Sequence, residues 1–312
     1  MRRLPRWAWV SGSASLAALV ALFAFVAWPS SSPAPVPGIA GMGVADVAQS
    51  IPVTASPSIT SSAVRSRPPT PTPTATPSAA STSVPAGMRA VTLVNATSQT
   101  VWGAATQDSK HPIATTGWVL KPGQSATVAV PSSWGGRFWG RTGCTFDGAG
   151  KGHCATGDCG NKFQCTGSGA TPATLAEFAL AAWGGMDFYD VSNVDGANLP
   201  MYINISHSTT KDPLNANGCG ANGCVRPITC PAQMQLSSGA CQNPCAAFGG
   251  DTYCCRGAWA GRTNCIPSKW PVDYTTVFKT AMPYGYSYAF DDSATLACKG
   301  GCGYRITFGV SA

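Results

Sequence analysis

Fourteen cysteines, all lying between Cys144 and Cys302, constrain this 312-residue chain more than any other feature. Four of them fall in one stretch, CTFDGAGKGHCATGDCGNKFQC (144–165), where Gly, Asp, Asn and Lys leave too few apolar residues for a local core. Such a segment cannot offset its ordering entropy by burial, so covalent cross-links must shape it. An even cysteine count points to as many as seven disulfides and to an oxidising compartment. Zinc is the competing use of these cysteines. The three histidines, His111, His153 and His207, are scattered, and the cysteine pairs lack the spacings of zinc ribbons. Disulfides are therefore expected, with no metal and no other cofactor.

The residues before the cysteine-rich part divide in two. Arg2, Arg3 and Arg6 precede an uncharged run from Trp7 to Trp28, long enough to span a bilayer and laid out like an export signal. Residues 1–28 thus read as a signal peptide or an N-terminal membrane anchor. Residues 29–88 are rich in Pro, Ser, Thr and Ala, with Pro68-Pro69-Thr70-Pro71-Thr72-Pro73 at the centre, and read as a semi-rigid tether. A secreted or surface-anchored protein follows, with its globular domain at 89–312.

The formal charge of +7 says little about partners. Five arginines and one aspartate precede residue 89, so much of the excess lies outside the domain. The domain has no basic run and no interleaving of basic and aromatic residues, which argues against nucleic acid as a partner.

From residue 89 onward, apolar and polar residues alternate in short runs: 89–95, 99–106, 125–131, 136–142, 176–182, 186–193, 201–206, 284–292 and 303–311. Runs of this length, rich in Val, Thr, Phe and Tyr, predict antiparallel strands of a sandwich or flattened barrel. The last strand is expected to pair beside the first. Between Cys219 and Cys265 cysteine-dense loops take over, with a short helix expected at Pro244 and a turn or two of helix within 270–283.

The motif Gly150-x-x-x-Cys154-x-Thr156-Gly157-Asp158-Cys159-Gly160-x-x-x-Gln164-Cys165 resembles the signature of the thaumatin-like proteins. Further matching blocks are Thr100-Val101-Trp102, Trp139-Gly140-Arg141-Thr142, Thr174–Phe178, Asp187–Ser192, Tyr253-Cys254-Cys255 and Tyr304–Phe308. The resemblance covers the globular part and implies a mainly β fold, a flattened antiparallel sandwich with a disulfide-rich lobe of loops and short helices. It also implies the pairings Cys144–Cys154, Cys159–Cys165, Cys219–Cys298, Cys230–Cys241, Cys245–Cys254 and Cys255–Cys265, and Cys224–Cys302 if the additional Cys302 takes the place of the family cysteine that is missing near Lys279–Met282. Thr97 and Gly309 stand where the family usually has one further pair.

The resemblance also implies an acidic cleft made of Arg137, Glu177, Asp190, Asp195 and either Asp291 or Asp292, with Asp291 favoured. Glu177 is the only glutamate in the chain, and strand alternation sets it on the face opposite Phe178 and Leu180. Crowded carboxylates beside one arginine suit glycoside hydrolysis, in which one protonated carboxyl donates to the leaving oxygen and a second assists attack. Glu177 is the expected acid, with Asp195 or Asp190 as its partner. The expected ligand is β-1,3-glucan or another cell-wall polysaccharide, bound by a monomer with an antifungal, defensive role and weak endo-β-1,3-glucanase activity. The alternatives are a non-catalytic glycan-binding or membrane-perturbing antifungal protein, or an inhibitor of a secreted hydrolase. Asp158 is expected to orient the turn between two disulfides, and Tyr189, Tyr284, Tyr286 and Trp183 are candidates for stacking on sugars or for core packing. Asn95-Ala96-Thr97 and Asn204-Ile205-Ser206 fit the glycosylation pattern.

Overall fold

The computed structural model describes residues 84–106 and 108–311. The expected signal or anchor at 1–28 and nearly all of the expected tether lie outside these residues. Among the described residues no helix is long and apolar enough to cross a membrane.

The strands, in chain order, are β1 (Met88–Asn95), β2 (Val101–Ala105), β3 (Gly117–Leu120), β4 (Ser125–Pro131), β5 (Gly135–Arg141), β6 (Thr145–Phe146), β7 (Gly152–His153), β8 (Leu175–Ala179), β9 (Asp187–Ser192), β10 (Met201–Ser206), β11 (Cys219–Gly220), β12 (Gly223–Cys224), β13 (Gly285–Tyr286), β14 (Leu296–Cys298) and β15 (Gly303–Phe308). Helices are short: α1 (Pro244–Phe248), α2 (Gly250–Cys254) and α3 (Thr275–Ala281).

Two sheets carry the domain. One runs β10-β15-β1-β4; the other runs β13-β9-β8-β5-β2-β3, with β14 also on β9. The last strand does lie beside the first, but parallel to it, with Val91 opposite Tyr304. No hairpin joins these two strands, so nothing forces them to be antiparallel. The other strands of the two sheets pair antiparallel except β13, which is parallel to β9.

Alternation explains where the core sits. Val91 and Leu93 of β1, Ile306 and Phe308 of β15, and Phe138, Phe178 and Tyr189 of the larger sheet are all buried in one cluster. Tyr304 ties the sheets together, its ring 4.9 Å from that of Phe178 and 5.2 Å from that of Tyr189. Burying each such ring contributes roughly 2–3 kcal/mol. The side chains between these positions consequently point to the other face of the larger sheet.

The stretch 284–292 forms a strand only at Gly285–Tyr286. The Asp291 carboxylate accepts from the Ser287 backbone N–H and hydroxyl, which folds the chain back before a longer ladder can form. Helix α1 starts as expected, with Pro244 in its first turn and the Asn243 side chain accepting from Ala246 N at 2.6 Å.

Five disulfides join the expected partners: 144–154, 159–165, 230–241, 245–254 and 255–265. The other two do not. Cys219 pairs with Cys224 and Cys298 with Cys302, in place of 219–298 and 224–302. Cys219 and Cys224 face each other across the β11–β12 hairpin, whose two-residue turn is Ala221-Asn222, followed by Gly223 at φ +115°. Lys299-Gly300-Gly301 likewise brings Cys298 and Cys302 together, both glycines having positive φ. A cysteine with a partner four or five residues away across a tight turn is not available to reach the other lobe.

Candidate functional site

Strand register builds the site. Arg137 on β5 lies opposite Glu177 on β8, and Glu177 lies opposite Asp190 on β9, forming one row across three adjacent strands. All three alternate with core residues, so they share the outer face. Cross-strand neighbours have Cβ atoms about 4.5–5.5 Å apart, so the side chains of the row must interact. Arg137 Nη2 lies 3.3 Å from Glu177 Oε1, and its Nη1 lies 3.4 Å from Oδ2 of Asp195, in the loop after β9. One guanidinium thus holds two carboxylates, one on each arm.

Burial pushes the Glu177 carboxyl above the usual carboxylate range; Arg137 opposes this, the Asp195 charge adds to it, and a hydrogen bond from Ser192 opposes it. Asp190 is pushed up to about 8, by burial first and then by the Glu177 charge, with Arg137 opposing. Its Oδ1 is buried without a hydrogen-bond partner among the described residues. A carboxylate in that setting keeps its proton near neutral pH. Asp190 is therefore suited to donate a hydrogen bond and poorly suited to act as a base.

Neither candidate for the fifth position contacts Arg137. Asp291 is buried, with Lys279 Nζ at 2.7 Å and hydrogen bonds from Ser287 and Ser293. Burial pushes its carboxyl up, but Lys279 and Ser287 outweigh this and hold it below the usual range. Asp292 ion-pairs with Arg262. Tyr286 links this region to the row. It lies opposite Ser192, hydrogen-bonds to the Thr295 hydroxyl, and its phenol is pushed up by burial and then by the charges of Asp190, Asp291 and Glu177.

The remaining candidates separate cleanly. Tyr189 is a core residue, Tyr284 packs against the core, and Trp183 is 83% exposed at the β8–β9 turn. Asp158 accepts from Cys154 N at 3.0 Å and from His153 Nδ1 at 2.9 Å, orienting its turn as expected. Both sequon asparagines are buried, Asn95 donating to the Gln99 and Leu120 carbonyls and Asn204 to Asp212 and Asn215. Neither is accessible to a glycosyl transferase in the folded domain.

The Cys144–Cys165 stretch seals one end of the outer face. Trp139, Ala104 and Leu175, in the row next to the acidic one, form a second hydrophobic cluster with Cys165 and Ala173. Trp139 Nε1 donates to Gly157 O at 2.9 Å, and a Cβ on Gly157 would stand 2.9 Å from that ring. Sequence reasoning missed Arg141, one row further on. It is fully buried and donates to the carbonyls of Trp102, Gly103, Lys162 and Phe163, with its guanidinium 5.3 Å from the Phe146 ring and 5.5 Å from the Phe163 ring. Alternation alone placed it on the face of Arg137, but the four carbonyls that hold it belong to residues 21 or more positions away, and the Phe146 ring is the one local part of its cover. A groove of about 630 Å³ beside this stretch is lined by Trp102, Val119, Phe146 and Phe163. Its one carboxylate, Asp147, is occupied by the Ala149 and Lys151 backbone N–H groups, which leaves the groove without reactive groups.

A family model described as the Thaumatin family matches residues 95–310. Thaumatin-like protein 1 of Arabidopsis thaliana is 44% identical over 230 residues, covering 70% of this chain and 85% of that protein. Pathogenesis-related thaumatin-like protein 3.5 of Cryptomeria japonica is 43% identical over 231 residues, covering 72% and 90%. The structure of a thaumatin-like xylanase inhibitor is 23% identical with a TM-score of 0.38, covering 70% of this chain and 97% of that one.

Proposed function

Because this chain belongs to the thaumatin family, whose members here include pathogenesis-related proteins, we propose that its acidic row binds β-1,3-glucan outside the cell and hydrolyses it slowly. The observation that carries this reading is the guanidinium of Arg137 shared between Glu177 and Asp195, with Asp190 directly beside Glu177. Partly exposed carboxylates held in fixed positions accept hydrogen bonds from sugar hydroxyls, and a protonated Asp190 supplies a donor among the acceptors.

For hydrolysis, Glu177 is the acid. Burial beside Asp195 favours its protonated form, which donates to the leaving glycosidic oxygen. Asp195, the more exposed carboxylate at 41%, assists attack at the anomeric carbon. Asp190 is assigned to binding. An oxidising, extracellular setting fits seven disulfides with no free cysteine among the described residues.

The test is incubation of the full chain with insoluble β-1,3-glucan, measuring retention and released reducing sugar for wild type and Glu177→Gln. Retention by both, with sugar released only by wild type, is expected. Retention by both with equal release would remove Glu177 as the acid, and no retention by wild type would sink the proposal.

A further inference from the structure

The outer face continues past the acidic row, away from the disulfide-bonded stretch. Two residues further along each strand lies the row Gly135–Ala179–Phe188–Ala297, in register across β5, β8, β9 and β14. At about 3.3 Å of rise per residue, this row sits about 7 Å from the acidic one. Phe188 shares the face of Asp190, two positions before it on the same strand. Its neighbours across the sheet are alanines on both sides, with glycine beyond, so no large side chain in the row covers its ring. It packs in neither hydrophobic cluster of the domain.

We propose that this shelf is a second sugar-ring subsite, with the Phe188 ring as its platform and the acidic row as its polar edge. The inference rests on the glucan-binding reading of that row and extends it by naming where the next sugar ring lies. A pyranose presents an apolar C–H face and a rim of hydroxyls. The shelf offers the complement: a half-buried aromatic ring among small residues, continuous with Asp190 and Glu177, which can take the rim hydroxyls. The row contains no charged side chain, so a neutral ligand suits it. The same continuity gives the bound chain a direction, along the strands from the acidic row toward the β8–β9 turn.

The experiment is calorimetric titration of the full chain with linear β-1,3-glucose oligosaccharides of increasing length. Wild type is expected to gain affinity with length. Phe188→Ala is expected to bind the shortest binding oligosaccharide as wild type does but to lose roughly tenfold on the longer ones, as one aromatic contact of about 1.4 kcal/mol implies. Phe188→Tyr should retain the gain. Ala179→Leu, which keeps the phenylalanine and its packing but crowds the ring, should lose it, and this variant serves if Phe188→Ala does not fold. An unchanged length dependence in Ala179→Leu and in any folded Phe188→Ala would overturn the shelf while leaving the acidic row intact. No binding of any oligosaccharide by wild type would overturn both.

Discussion

Two arginines on one strand, Arg137 and Arg141, point to the same face of the same sheet and have opposite fates. Arg141 is fully buried, its fork spread over four backbone carbonyls and its plane against two phenylalanine rings. Its guanidinium is lowered to about 10 by burial, with the Asp158 charge opposing, so it remains charged at neutral pH. Arg137 is 19% exposed and its partners are two carboxylates. The disulfide-bonded stretch makes the difference, because it lies over one end of the sheet and stops before the other. The covered cation holds structure together; the uncovered one organises a site.

The largest expected effect lies at the covered end. Arg141→Ala leaves four buried carbonyls short of a donor and should destabilise the domain by about 3–5 kcal/mol, read by urea unfolding with disulfides intact. Arg141→Lys should rescue little, since an ammonium cannot span four acceptors set for a planar fork. Wild-type stability in Arg141→Ala would mean that the cover over this end contributes nothing.

Asp190 tests the uncovered end in the opposite direction. Its folded pKa of about 8 lies above an unfolded value of about 4, so the folded state binds the extra proton between these values. Stability is therefore lost as pH rises from about 4 through about 8. Asp190→Asn removes that penalty and should stabilise by a few kcal/mol at pH 8 and by little at pH 4. A pH-independent difference between the two proteins would contradict a proton held in the row.

The disulfides give a smaller effect. Replacing both Cys219 and Cys224 by serine opens a loop of five residues and should cost about 2 kcal/mol by loop-closure entropy, against about 4.5 for a link spanning 219 to 298. Peptide mapping should recover Cys298 and Cys302 joined to each other.

The smallest stability effect is expected at Arg137, where Arg137→Ala should change unfolding by no more than about 1 kcal/mol, because its ion pairs are partly solvated. Its glucan retention should nevertheless fall. A large loss of stability there would make the two arginines alike.

What the sequence made legible follows from locality. Period-two alternation found most of the longer strands and set Glu177 on the outer face, because the side-chain period is a property of the strand itself. The four-residue strand β3 and the three-residue β14 were too short to show a period. The family pattern assigns Asp291 to the cleft but gave no hint of its ion pair with Lys279 of α3. That meeting of a helix with the segment after β13 has no signature in either one. The two rearranged disulfides are different, since Cys219 and Cys224 stand five residues apart, close enough in the chain for a two-residue hairpin turn to join them without any long-range pairing. Burial of Arg141 was illegible for the same reason that it matters: its cover is assembled from distant parts of the chain.

A glycan site formed by the uncovered arginine and its carboxylates is tested by titration of soluble β-1,3-glucan into wild type, Arg137→Ala and Asp195→Ala. Saturable binding by wild type, weakened at least tenfold in both variants whose unfolding curves overlay the wild type, is the predicted result. Equal binding by all three, or none by wild type, would contradict it.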